Sequence, residues 1–140
     1  MYLKSVGRNA TLIMGITPDD KGLVPEGDFK RMEEFGQAIK ELYSKPIAKT
    51  ATEGQSAELK LKKKQPVSYI MIQEDISQGH RIIEFKVEAK MANTWKTIVE
   101  GTSVGHKFIH KLDAPIQSSQ IRLRVINSIA QPKIINFSIY

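Results

Sequence analysis

The spacing of hydrophobic residues along this chain changes once, near Pro46. Ahead of that point, Ala10 to Ile16 is apolar on both faces, which predicts a strand covered on both sides in a parallel sheet. Thr17 to Gly27 then supplies prolines, glycines and aspartates, the chemistry of a loop. Phe29, Met32, Phe35, Ile39, Leu42 and Tyr43 recur at three- and four-residue steps, opposite Lys30, Glu33, Glu34, Lys40 and Glu41. This predicts an amphipathic helix with Asp28 as its N-cap, ended by Ser44, Lys45 and Pro46. One strand and one helix cannot cover each other's apolar surfaces, so residues 1–45 read as the last repeat of something larger.

From Pro46 onward the period falls to two. Ile83, Phe85, Val87, Ala89 and Met91 alternate with Glu84, Lys86, Glu88 and Lys90, the clearest strand in the sequence. Shorter runs predict further strands over Glu58 to Lys62, Val67 to Gln73, Trp95 to Glu100, Lys107 to Leu112, Gln120 to Ile126 and Ile134 to Tyr140. Turn clusters separate them at Ala92 to Thr94, Gly101 to Gly105 and Asp113 to Ser119. Seven short strands with no helix between them predict an antiparallel β-sandwich. The organisation expected is therefore a strand-loop-helix over residues 1–45 and a sandwich over 46–140.

At 140 residues the chain is too short for a complete catalytic barrel of ~250 residues. A hydrophobic fraction of 41% supports a packed core and argues against disorder. The longest apolar run falls well short of the ~18 residues of a membrane span, and the N-terminus lacks the pattern of a secretory signal. Without cysteine there is no disulfide or thiolate chemistry. The formal charge is +6, and residues 1–45 balance, so all of the excess lies in 46–140. Lys60, Lys62, Lys63 and Lys64 supply much of it. Lys60 and Lys62 alternate with Leu59 and Leu61, which reads first as the solvated face of a strand; a surface for anionic polymers is the alternative.

No active site assembles from these residues alone. His106 and His110 have a zinc-like spacing only on a helix; in a strand they stand ~13 Å apart, so no metal site is expected. The acids Asp19/Asp20, Glu33/Glu34 and Glu74/Asp75 are sequence neighbours and read as surface charge, and no catalytic dyad or cofactor site is expected. Residues 101–107 read as a turn, because their glycine and lysine spacing misses that of a phosphate loop.

The ordered run Ser5, Gly7, Asn9, Leu12, Gly15, Pro18, Asp19, Gly22 and Pro25, followed by the helix Phe29 to Ile39, resembles the end of the catalytic domain in α-L-fucosidases of glycoside hydrolase family 29. In that family such a stretch is the final strand, loop and helix of a (β/α)8 barrel. Downstream, Gln73 to Arg81, Trp95, Gly101 to Lys107, Ile121 to Val125 and Pro132 to Tyr140 resemble the C-terminal sandwich of these enzymes, related to discoidin and coagulation-factor type C domains. The resemblance implies a jelly-roll-like accessory sandwich preceded by a barrel remnant.

It also implies a retaining hydrolase of terminal α-linked fucose, using an aspartate nucleophile and a glutamate acid/base ~5 to 5.5 Å apart. Both precede the matched segment, so no catalytic residue is assigned here. Thr17, Pro18 and Asp19 would lie at the catalytic face of the barrel, as pocket wall or as a structural turn. In the sandwich, Glu74, His80, Arg81, Trp95 and His106 are the candidates for a sugar-binding or interdomain loop. Against that role, Trp95 follows a tight turn where tryptophan is commonly core, and Glu74 and Arg81 could pair with each other. The expected partner is the catalytic barrel, with a glycan as candidate ligand and self-association through residues 1–45. Nucleic acid is not expected, because aromatics are not interleaved with the lysines, and a membrane is not expected, because no apolar run is long enough to span one. A glycan-degrading parent would imply a periplasmic or extracellular location.

Overall fold

The computed structural model describes residues 1–140 as two compact units, one of residues 1–11 with 46–140 and the other of residues 12–45. The first contains six antiparallel strands: β1 (Ala48–Glu53), β2 (Ser56–Glu74), β3 (Ile82–Met91), β4 (Thr94–Gly101), β5 (Phe108–Ser128) and β6 (Lys133–Ile139). Their order is β1-β6-β2-β5-β3-β4.

Two strands of 19 and 21 residues make this a sandwich. β2 and β5 pair from Ser56↔Arg124 to Lys60↔Gln120, lose register, pair again from Gln65↔Ser118 to Val67↔Ile116, shift once more, and continue from Tyr69↔Lys111 to Ile72↔Phe108. Beyond the break, β2 also pairs with β6, whereas the other half of β5 pairs with β3. Each long strand therefore belongs to both layers. Leu59, Ile121, Leu123, Phe85 and Val87 from one layer meet Ile70, Ile72, Ile134, Phe137 and Ile139 from the other in a single buried cluster. The rings of Phe85 and Phe108 meet edge to face across it, with centroids 5.1 Å apart.

The break explains two differences from the expected strands. Glu58–Lys62 and Val67–Gln73 are one strand, as are Lys107–Leu112 and Gln120–Ile126, because the short stretch pairing Gln65–Val67 with Ile116–Ser118 links the two halves of the ladder across its register shifts. β1 was not expected; its half-buried Ala48, Thr50 and Thr52 are too small and polar to signal a strand. In β3 the expected facing holds for Phe85, Val87 and Ala89, which are fully buried, but Ile82 is buried in place of Ile83. Register shifts on either side of Glu84 reverse the alternation there.

The second unit holds the helix α1 (Glu26–Tyr43). Its N-cap is Pro25 rather than the expected Asp28, which lies in the first turn with Glu26, where acidic side chains suit the helix dipole. Ala10–Ile16 is not a strand, since no other segment supplies a hydrogen-bonding ladder for it. No residue of α1 is buried, and Phe29, Met32 and Leu42 are among its exposed apolar side chains.

Gly101 lies against the Phe85 ring, where an added Cβ would come within 2.6 Å of two ring carbons. Phe85→Ala is expected to destabilise the sandwich by about 3 to 5 kcal/mol and Gly101→Ala by about 1 to 3 kcal/mol. Denaturant unfolding of both variants and of the double variant measures this. The second change should cost little once the ring is gone, so the two penalties should fail to add.

Candidate functional site

Four connections gather at one end of the sandwich: residues 54–55, 75–81, 102–107 and 129–132. Glu74 organises them from the end of β2. Its Oε1 accepts hydrogen bonds from the Arg81 and Ile82 backbone N–H groups at 2.8 and 3.3 Å, closing the 75–81 loop. Its own N–H donates to the Gly105 carbonyl at 3.0 Å, joining that loop to 102–107. Only 1% of Glu74 is exposed, so it is not the surface charge its acidic neighbour suggested. Backbone donors take the place of water at Oε1, while Oε2 is buried without a partner.

The Arg81 guanidinium does not pair with Glu74. It donates to the Gln131 carbonyl at 2.9 Å and the Gln78 side chain at 3.0 Å, tying the 75–81 loop to the β5–β6 connection. Arg81, Glu53, Gln131, Pro132 and Lys133 line a hollow of about 90 Å³. Its guanidinium, ammonium, carboxylate and amide groups suit a polyhydroxylated ligand, although no aromatic ring walls it.

Asp75 accepts the Ser77 N–H at 3.0 Å and pairs with Lys133 Nζ at 3.0 Å. Hydrogen bonds from Ser77 first, then the Lys133 ammonium, hold its carboxyl down from 3.8 to about 2. Lys133 is shifted upward by the same contact and by Glu53. Asp75, Gln131 and Lys133 had no distinguishing signal in the sequence, because pairing across 58 residues follows only from the fold.

His80 and His106 are exposed on the two loops that Glu74 joins. Trp95 lies elsewhere. It pairs with Lys90 beside the tight turn at Ala92 and Asn93, both with positive φ, at the other end of β3. The length of β3 separates it from Arg81 by about 30 Å at ~3.3 Å per residue. The Arg122 guanidinium stacks 4.1 Å above the indole centroid and is held by Glu88 through a 2.6 Å ion pair, so one indole face is already covered.

Residues 1–11 join the loop end through Asn9, which has φ +67. Its amide donates to the Val104 carbonyl at 2.9 Å and accepts from the Lys107 N–H at 2.8 Å. Gly105 lets it approach, since a Cβ there would meet the Asn9 amide at 2.6 Å. Beside it, Arg8 bridges to Phe108 and lies 4.7 Å over that ring. Phe108 in turn stacks with His110, whose pKa is lowered by burial and then by Arg8.

In the other unit, Thr17, Pro18 and Asp19 are exposed. The Asp19 carboxylate accepts N–H bonds from Lys21 at 2.9 Å and Leu23 at 2.8 Å, shaping a turn that Gly22 completes with φ +75.

A bent antiparallel sandwich with its connections gathered at one end defines a discoidin-like domain. The chain belongs to the F5/8 type C domain family, whose model matches residues 42–137. Over its whole length it is 29% identical to a protein of Oryza sativa subsp. japonica provisionally named alpha-L-fucosidase 1, of which it spans 34%. A solved structure provisionally assigned as an alpha-L-fucosidase of Bacteroides thetaiotaomicron VPI-5482 is 50% identical, with a TM-score of 0.95 over 99% of this chain and 32% of that one. The family 32 carbohydrate-binding module of Streptococcus pneumoniae EndoD shares the fold, at 23% identity and a TM-score of 0.54 over 66% of this chain and 73% of that one. The chain thus spans about a third of the curated relative and of the Bacteroides protein.

The Asp75 contacts have a pH signature. Because the folded pKa is depressed, their stabilisation is present above pH 3.8 and lost as pH falls through about 2. Lys133, shifted the other way, contributes below 10.5 and loses that contribution as pH rises through its raised folded pKa. Asp75→Asn should flatten the stability difference from wild type below pH 3.8, measured by urea unfolding between pH 2 and 6. An unchanged acid profile would contradict the pairing.

Proposed function

We propose that this chain is the C-terminal part of a retaining α-L-fucosidase of glycoside hydrolase family 29, acting on terminal α-linked fucose. In this reading the sandwich of residues 46–140 is a non-catalytic accessory domain, and residues 1–45 are the last strand, loop and helix of a catalytic barrel whose carboxylates lie upstream. The observation that carries it is the 50% identity and 0.95 TM-score to about a third of the assigned Bacteroides fucosidase. Supporting it, α1 has no buried residue and Ile13, Met14, Leu23, Val24, Phe29, Met32 and Leu42 are exposed, as expected of a segment made to be covered by neighbouring barrel elements. Thr17, Pro18 and Asp19 would then stand at the barrel's catalytic face.

The polar hollow beside Arg81 favours one second reading, an independent carbohydrate-binding module whose sugar contacts would come from Arg81 with His80 and His106 nearby. Its lack of an aromatic wall and the distance to Trp95 favour the accessory role.

The 140-residue chain alone should release no product from a chromogenic α-L-fucoside, whereas the chain extended through its upstream coding sequence should. Turnover by the chain itself, abolished by one substitution within it, would overturn the assignment. Without the barrel, the apolar face of residues 1–45 should pair with a second copy. Sedimentation should therefore show the 140-residue chain as a dimer and residues 46–140 as a monomer; a dimer that survives removal of the segment would place the interface elsewhere.

A further inference from the structure

The register break in β2 has a chemical consequence away from the loop end. In a regular strand Lys60, Lys62 and Lys64 would face one way and Lys63 the other. Instead the ladder to β5 is interrupted between Lys60 and Gln65, and the freed residues curl around a groove of about 560 Å³. Lys60, Leu61, Lys62, Lys63 and Gln65 line it together with Ile47 and Ala48. Ile47, Ala48 and Leu61 pack on the core, which fixes an apolar floor, while the three lysines are exposed.

The charges in this groove are uncompensated. No acidic residue lines it, and the ion pairs of the sandwich engage Lys86, Arg122, Arg124 and Lys133 but none of Lys60, Lys62, Lys63 or Lys64. Such a cluster raises the local concentration of anions. The groove's volume lies in the roughly 300 to 1,000 Å³ range of small-ligand sites.

We propose that this groove binds an acidic glycan, a saccharide chain bearing sulfate or carboxylate groups. The lysines meet the anionic groups as point charges with rotatable donors, and the apolar floor of Ile47, Ala48 and Leu61 receives the C–H face of a sugar ring. Single-stranded nucleic acid is the less suitable polyanion, because no aromatic side chain lines the groove to stack a base. The groove is separate from the hollow at Arg81, and the proposal stands on the lysine geometry, independent of the fucosidase assignment.

The test uses the 140-residue chain, with a heparin oligosaccharide as the sulfated probe, oligogalacturonate as the carboxylated probe and a 20-residue oligothymidylate as the nucleic-acid control, titrated across NaCl concentrations. At least one acidic glycan should bind with salt-sensitive affinity and more tightly than the oligothymidylate. The variant Lys60→Gln/Lys62→Gln/Lys63→Gln should lose about tenfold in affinity, with its thermal unfolding midpoint unchanged. Removing the same charge outside the groove, with Lys86→Gln/Lys107→Gln/Arg124→Gln, should cost distinctly less. The proposal is overturned if neither glycan binds, if the two triple variants lose affinity equally, or if the oligothymidylate binds more tightly. A triple variant that unfolds is replaced by single substitutions, and three folded singles that bind as wild type would equally overturn it.

Discussion

The shared bend of β2 and β5 is the constraint on which the sandwich depends. Each strand is hydrogen-bonded in both layers, so the layers cannot slide or separate without breaking one continuous backbone. The bend in turn needs a filled interior, and Phe85 fills it, with Phe108 against one part of its ring and the bare Gly101 backbone against another. Burial of the facing isoleucines, leucines and phenylalanines then offsets the conformational entropy lost on ordering two long strands.

That arrangement gives the domain two chemically different regions. At the loop end, Glu74, Asp75, Arg81 and Lys133 bond to each other's loops, which holds the connections in place and leaves a small polar hollow. At the break in β2, the lysines have no partners within the protein. Charge that is satisfied internally stabilises structure, whereas charge left free on a rigid floor is available to a ligand. The basic excess of residues 46–140 acquires meaning only through this division.

Much of the architecture was legible in the sequence because it rests on local periodicity. The alternation of Phe85, Val87 and Ala89 shows their burial directly, and the 3.6-residue stripe shows α1. Features that depend on register were not legible. Ile83 and Ile82 exchange roles because of a bulge, and the kink that gathers Lys60 to Lys63 lies within an apparently regular alternating strand. At the candidate site, Glu74 and Arg81 were recognisable as bracketing a loop, but their partners were not. One binds backbone N–H groups, and the other reaches Gln131, 50 residues away. Asn9 likewise acts through residues about 95 positions distant, which no local pattern encodes. Trp95 showed its turn correctly, but nothing in the sequence showed Arg122 covering its ring.

Both layers share one core and open together, which fixes the loop end and the lysine groove relative to each other. Native-state amide hydrogen exchange tests it most directly, because β2 and β5 have amides in each layer. The account predicts that Leu59 and Leu123 in one layer, and Ile70 and Ile72 in the other, exchange only through global unfolding, with opening free energies agreeing to within about 1 kcal/mol and equal to that from denaturant. It would be contradicted if one layer's amides exchanged through a separate, cheaper opening while the other's remained protected.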